Sequence, residues 1–312
     1  LIGSSENVYS STENLYVAST NYDYTDYYYD WSNAKTLVHR FALGDGELDY
    51  EKSGKVPGTI LNQFSMDEYD DHFRIATTEG SFWSDPPSSN NLYVLNMSLD
   101  ITGSIEGMAP GETIYSTRFS GDTGYIVTFK KIDPLFVLDL SNPTHPYIAG
   151  ELKVPGYSDY LQPYGTDYLI GFGKDAEDPE EEEEAVRSMD FAWYQGMKMS
   201  LFDVSDEEHP KQVDSVGIGD RGTSSELLYN HKALLFDEDK GLLAFPVTLA
   251  IVDDPEASAS TSGDYVFQGA YIYDFDETGF DLRGTISNYE DGAIEGEYWE
   301  WYDSYTNISR II

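Results

Sequence analysis

The chain contains no cysteine, which excludes disulfide staples, thiolate nucleophiles and Cys-ligated metal centres. Cations are scarce: 18 Lys and Arg stand against 57 Asp and Glu, a formal charge of −39 over 312 residues. A field of that sign repels phosphate backbones and anionic membrane faces, so nucleic acid is not expected as a partner. No apolar run reaches the ~18 residues that a membrane-crossing helix needs, and the stretch beginning Leu1-Ile2 shows no secretory leader. Membrane insertion is therefore not expected. The signatures of common chemistries are missing as well: there is no G-x-S-x-G elbow, no H-E-x-x-H helix and no Gly-rich phosphate loop. The five His (His39, His72, His145, His209, His231) are dispersed, and His145 and His209 precede Pro146 and Pro210 in matching turn sequences. They read as turn residues, and no transition-metal centre is expected.

What is abundant is aromatic and β-branched: 26 Tyr, 15 Phe and 5 Trp, with Thr, Val and Ile dominating the patterned runs. This composition favours sheets over helices. The plainest stretch, 112–156, holds four short runs at Ile114–Phe119, Gly124–Phe129, Leu135–Leu140 and Tyr147–Val154, separated by SGDT, KKIDP and SNPTHP. Gly, Asp, Asn and Pro give those separators turn chemistry. Connections this short join antiparallel neighbours, because a parallel crossover takes a dozen or more residues. The stretch is thus a four-stranded meander.

The same unit recurs. Its third strand ends in an Asx residue, Asp139, and matching runs end in Asn96, Asp203 and Asp274. Once the polar insertions 174–196 and 250–268 are set aside, these positions repeat at roughly 40–50 residues with four strands per period, the pattern of propeller blades. The fold expected is all-β: a single β-propeller domain over 1–312, with blades at 6–57, 58–110, 111–156, 157–220 and 221–288 and a partial sixth at 289–312. The recurring Asx residues are expected to cap the N–H groups of the turn that follows. Ile60–Met66 and Leu227–Phe236 are expected as the first strands of blades two and five, and Ile308–Ile312 as the first strand of the unfinished one. The insertion containing Glu180–Glu184 is a mobile charge block or a short helix over 179–189.

PGTILNQFSMDEYDDHFRIATT (57–78), the run 90–96, DPLFVLDLSNPTHP (133–146), the run 200–206, IGDRGTSSELLYNHKALLF (218–236) and LLAFPV (242–247) resemble the prokaryotic family of secreted proteins with a C-terminal β-propeller distantly related to WD repeats. The resemblance covers almost the whole chain. It implies the propeller fold and a secreted or cell-surface location, and it implies no active site.

Any function must come from the residues. In a propeller, the first strand of each blade faces the axis, which directs attention to Asn62, Gln63, Arg118, Gln162, His231 and Lys232. Arg118 and His231 are the cations that a converging anionic ligand needs; the structural alternative is inter-blade hydrogen bonding. Three aromatic clusters in acidic loops form a second set, represented by Tyr28 and Trp31, by Trp193, and by Trp299 and Trp301. Rings of this kind dominate binding hot spots, and they equally seal blade edges. Calcium is the one cofactor left open: Asp67, Asp70 and Asp71 form one dense acidic turn and Asp203 and Asp206 another, although neither has EF-hand spacing. The acidity otherwise reads as adaptation to high salt or as a solubility device. The expected function is a non-catalytic extracellular or cell-surface module for recognition or structure. Its partner is a protein or polysaccharide, and unpaired blade edges invite self-association. The alternative is an extracellular polysaccharide hydrolase or lyase using channel carboxylates.

Overall fold

Residues 7–21, 24–25, 28–29, 34–44, 46–81, 86–129, 132–177, 193–254, 256–289 and 307–312 are described by the structure, a computed structural model. Five four-stranded antiparallel sheets follow one another along the chain. The first comprises β1 (Asn7–Ser10), β2 (Asn14–Asn21), β5 (Lys35–Gly44) and β6 (Glu47–Pro57), with a minimal hairpin, β3 (Tyr24–Thr25) and β4 (Tyr28–Tyr29), between β2 and β5. The second comprises β7 (Met66–Tyr69), β8 (His72–Glu79), β9 (Ser89–Asn96) and β10 (Ile101–Met108), and the third β11 (Thr113–Ser120), β12 (Thr123–Phe129), β13 (Ile132–Asp139) and β14 (Tyr147–Pro155). The fourth is β15 (Tyr157–Tyr164), β16 (Tyr168–Glu177), β17 (Trp193–Asp203) and β18 (Lys211–Ile218). The fifth is β19 (Leu235–Asp237), β20 (Leu242–Ile251), β21 (Asp264–Asp276) and β22 (Gly279–Ile286). In every sheet the spatial order is the chain order, as in the blades of a β-propeller.

The chain divides into two compact units, residues 1–130 with 134–152, and 131–133 with 153–312. Within the first, the middle strands are buried on both faces: Phe73, Arg74, Ile75, Ala76 and Thr77 of β8 are successive buried residues. One face packs with Tyr16, Val38 and Val56 of the first sheet, the other with Ile114, Ile126 and Leu138 of the third. A strand sandwiched between two neighbouring sheets has no polar face to spare. The outer strand β10 instead leaves Ile101, Ser104, Glu106 and Gly107 exposed. In the second unit the corresponding layer is aromatic: Phe172 meets Phe245 edge-on at 5.6 Å, and Phe245 stacks on Tyr273 at 6.0 Å.

The Asx expectation holds at three of four positions. Asn96 Oδ1 accepts from the Ser98 and Asp100 amides at 2.8 and 3.1 Å, and Asp139 and Asp203 accept from the amide and hydroxyl of Ser141 and Ser205. At Asp139 burial works against ionisation, but the Ser141 bonds outweigh it and hold the carboxyl below its ordinary value. In the fifth sheet the duty has moved. Asp274 pairs with Arg283 at 2.7 Å, while Asp276, two residues on, caps the Thr278 amide and hydroxyl at 2.7 and 2.5 Å. The reason is length: β21 runs through Asp276 before turning, so the capping position lies at the strand's actual end. Asn142 and Asp206 cap the equivalent SNPTHP and SDEEHP turns, whose closing residues are His145 and His209, as the repeat requires.

Three strand expectations need correction. Blade two does not open with a strand over Ile60–Met66: Thr59 makes an isolated bridge to Thr78, then a 3-10 helix spans Gln63–Ser65 before β7 begins. Blade five repeats this design. Ser224 bridges Thr248, and 3-10 helices at Glu226–Leu228 and His231–Ala233 precede the three-residue β19, so Leu227–Phe236 is mostly not strand. In both places Asn or Ser side chains cap the turns (Asn62, Ser225, Asn230), and a local cap competes successfully with the ladder. Gly58 is obligatory at the first of them, since its φ is +82° and a Cβ would press on the Thr78 carbonyl. Finally, Ile308–Ile312 carries no strand. Ile308 is instead held by Gln268 of β21, whose side-chain amide donates to the Ile308 carbonyl at 2.7 Å and accepts from its N–H at 3.0 Å. The insertion 179–189 lies outside the described residues.

Candidate functional site

In the first unit, the opening segments of three consecutive sheets meet at a cleft of about 290 Å³. β1 contributes Val8, Tyr9 and Ser10; the 3-10 helix and β7 contribute Gln63, Phe64, Met66 and Asp67; β11 contributes Arg118 and Phe119. Two residues singled out in the sequence, Gln63 and Arg118, thus line one cavity. Asn62 is not a lining group: it caps the 3-10 helix, accepting from the Phe64 amide at 2.9 Å. The Arg118 guanidinium lies over the Phe64 ring, 4.6 Å from its centroid, so one face is spent on the ring and its N–H edge is directed in the guanidinium plane.

Among the described lining residues the one carboxylate, Asp67, is engaged by the protein itself. Asp67 Oδ2 accepts from Arg74 Nε at 3.0 Å and from its Nη2, and Oδ1 accepts from the Tyr9 hydroxyl at 3.3 Å. Arg74, only 3% exposed, also donates to the Gly121 carbonyl and lies between the Tyr69 and Phe119 rings at 5.0 and 5.1 Å. Burial and the adjacent Asp67 charge push the Tyr9 phenol up to about 12, so it stays a neutral donor. Next to it, Glu68 accepts from Tyr16 at 2.5 Å and from Asn14 at 3.0 Å, and Asn14 in turn accepts from Arg40 at 2.9 Å. The acidic turn 67–71 is therefore a structural node. Asp70 and Asp71 sit at φ of +46° and +56° in the tight Tyr69–His72 hairpin, where Asp is tolerated in the left-handed region.

The second unit has a different corner. In β15 the register shifts between Ser158 and Tyr160, which makes Asp159 the bulged residue, and bulges re-aim a side chain. Burial raises the Asp159 carboxyl to about 7 against the pull of the Lys174 charge. Lys174 is itself lowered, first by burial and then by Arg221, and its ammonium donates to the Thr223 carbonyl. His231, on the second 3-10 helix of this corner, stacks on Tyr160 at 6.0 Å, and Gln162 accepts from the Tyr160 hydroxyl at 2.8 Å while donating to the Pro163 carbonyl. Arg118 and His231 fall in different units, each against an aromatic ring of its own unit. Neither sequence motif nor spacing marked Asp159; the signal available was an Asp between Tyr157 and Tyr160 in a first strand.

Of the aromatic clusters, Trp193 is half-buried under the Arg221 guanidinium, 4.7 Å from the ring centroid. Tyr194 packs edge-on against Tyr157 at 5.1 Å. Tyr28 pairs with Thr25 through its backbone; its side chain, Trp31, Trp299 and Trp301 lie outside the described residues. Asp203 and Asp206 serve the turn caps above, with Asp206 also 3.2 Å from His209 Nδ1. Among the described residues, no group of three or more His, Asp or Glu is arranged to hold a metal ion. A second groove, about 470 Å³, lies between β18 and β20–β22 and is lined by residues such as Tyr271, Tyr273, Phe280 and Ile218, with no charged side chain. Of these two, the cleft at Arg118 is the one whose described lining carries charged side chains.

Uncharacterised proteins of Methanocaldococcus jannaschii and Archaeoglobus fulgidus are similar in sequence. The first is 41% identical over 195 residues, 62% of this chain and 28% of that protein; the second is 38% identical over 230 residues, 71% of this chain and 32% of that protein. The matches thus span about a third of the length of these curated relatives. Among solved structures, the β-propeller domain of the Trilobed protease from Pyrococcus furiosus aligns with a TM-score of 0.43 at 11% identity, over 89% of this chain and 70% of that one. The periplasmic gluconolactonase of Pseudomonas aeruginosa aligns with a TM-score of 0.46 at 11% identity, over 90% and 84%. The sequence matches the β-propeller domain family over residues 1–312, and with five sequential four-stranded sheets the chain belongs to that family.

Proposed function

We propose that the chain is a non-catalytic recognition module, secreted or displayed at the cell surface, that binds a polysaccharide through the Arg118 cleft. The observation that carries this reading is the state of Asp67. The carboxylate in the cavity is engaged on both oxygens by Arg74 and Tyr9, which suits it to holding a wall in place and not to moving protons. Around it stand one guanidinium, an amide, two hydroxyls and apolar surfaces, a lining suited to holding a ligand. Affinity electrophoresis through gels containing neutral or acidic polysaccharides tests the reading. Retardation without release of reducing ends is expected. Migration unchanged by every polysaccharide, or release of reducing ends, overturns it.

A second reading, polysaccharide cleavage, is favoured by one observation: Asp159, on a bulge beside Lys174, holds its proton near neutral pH, as a general acid must. It predicts reducing-end release, or absorbance from an unsaturated sugar product, that Asp159→Asn abolishes. Turnover unaffected by that change, or no turnover at all, removes it.

A further inference from the structure

We infer that the groove between β18 and β20–β22 binds a primary alkylammonium ion, whose N–H groups donate to the Tyr271 and Tyr273 hydroxyls while its hydrocarbon chain lies on the apolar lining. The lining residues all belong to the second unit, and the inference is independent of the polysaccharide reading. The first support is an unanswered polar group. Tyr273 is only 3% exposed, yet its hydroxyl, like that of Tyr271, has no hydrogen-bond partner among the described residues. A buried polar atom left without a partner is costly, and native structures ordinarily satisfy it with protein, water or a bound molecule. Both tyrosines line the groove. Burial raises both phenols above their ordinary value, so they stay protonated and keep oxygen lone pairs able to accept.

Charge gives the second support. The described lining has no charged side chain, and the acids bonded at its rim have one sign. Asp214 accepts from the amide of Phe280, a lining residue, at 2.9 Å, and Asp220 accepts from the amide of Val252, which follows Ile251 of the lining, at 2.8 Å. The basic residues closest in sequence are engaged elsewhere: Arg221 lies over Trp193, and Arg283 pairs with Asp274. On a chain of formal charge −39, such a groove disfavours carboxylates and concentrates cations. Its rings add to this, because an aromatic face attracts an ammonium group. Size and surface give the third support. About 470 Å³ lies within the range of small-molecule sites, and Leu249, Ile251 and Leu282 offer a short alkyl chain the apolar contact that a bare inorganic cation cannot use.

The test is an NMR titration at constant ionic strength with n-hexylammonium chloride, 1-hexanol and sodium hexanoate, three probes with the same chain, followed at the Leu282 methyl and Gly219 amide signals. Hexylammonium should saturate these signals about tenfold more tightly than hexanoate, and measurably more tightly than hexanol. Changing Tyr271→Phe and Tyr273→Phe together keeps the rings and removes the hydroxyls. This double variant should weaken hexylammonium about fivefold without lowering the melting temperature, since neither hydroxyl bonds to the described protein. Leu282→Trp, at an exposed position of the lining, should block all three probes by filling the groove. Hexanol or hexanoate binding as tightly as hexylammonium, affinity unchanged in the double tyrosine variant, or unsaturable shifts spread over the acidic surface overturns the inference.

Discussion

The two units each build a corner from an isolated bridge, Thr59 to Thr78 in one and Ser224 to Thr248 in the other, followed by capped 3-10 turns, and they treat buried charge in opposite ways. In the first, Asp67 is met by a buried guanidinium and a phenol, which engage both of its oxygens. In the second, Asp159 faces Lys174, whose ammonium is already committed to the Thr223 carbonyl, and the carboxyl rises to about 7. Compensation by a hydrogen-bonded partner preserves charge; desolvation with a distracted partner promotes neutrality. The first solution fixes a wall of the cleft, and the second leaves a carboxyl whose proton is held up to about pH 7.

The largest effect should come from breaking the first solution. Arg74→Met leaves Asp67 without its cation and the Gly121 carbonyl without a donor, and should cost about 3–5 kcal/mol in chemical denaturation. Asp67→Leu added to it should recover much of the loss, because an uncompensated charge is worse than none. At the second corner, Lys174→Met at pH 6 should cost less than half as much, since Asp159 can hold its proton. Equal losses from the two single changes would remove the contrast.

Next in size is the pH dependence of Asp159. Its folded pKa lies above the unfolded one, so the native state binds the extra proton between about pH 4 and 7. The stabilisation is complete below the unfolded pKa and is lost as pH rises through 7. Asp159→Asn should flatten this fall, which is on the order of 2–4 kcal/mol across the window. A wild-type stability profile that already lacks the fall would show that Asp159 does not titrate there.

The smallest effects separate the capping residues. Asp139→Ala should cost about 1 kcal/mol through the lost bonds to Ser141, whereas Asp274→Ala, which removes an exposed ion pair, should leave the melting temperature within error. Asp276→Ala should lower it measurably. If Asp274 proves the costlier of the two, the capping duty has been assigned to the wrong residue.

Much of this was legible in advance because period-two patterning and turn chemistry are local. The meander at 112–156, the Asx caps at Asn96, Asp139 and Asp203, and the turn role of His145 and His209 all depend on residues within a few positions of one another. The stretches 57–78 and 218–236, distinctive in sequence, prove to be the two bridged corners. Their apolar residues imitated strands, yet Asn62, Ser225 and Asn230 cap 3-10 turns there, a competition that hydrophobic pattern alone does not decide. At the candidate site Gln63 and Arg118, both singled out in the sequence, line one cleft. Their junction with Tyr9 and the disarming of Asp67 were not legible, since the partners lie about 50 or more residues apart or depend on which way Arg74 points. Asp159 escaped notice because a bulge is a matter of register.

Among the described residues, each sheet is built from strands that follow one another in the chain. Pairings within a sheet therefore span short loops, whose closure costs little entropy. The chain should acquire its sheets one at a time, each forming within its own segment before docking on its neighbour. The Glu177–Trp193 pair shuts the base of the longest hairpin excursion in the fourth sheet. A change of length between those two residues should alter neither the order nor the rate at which the rest of the chain assembles.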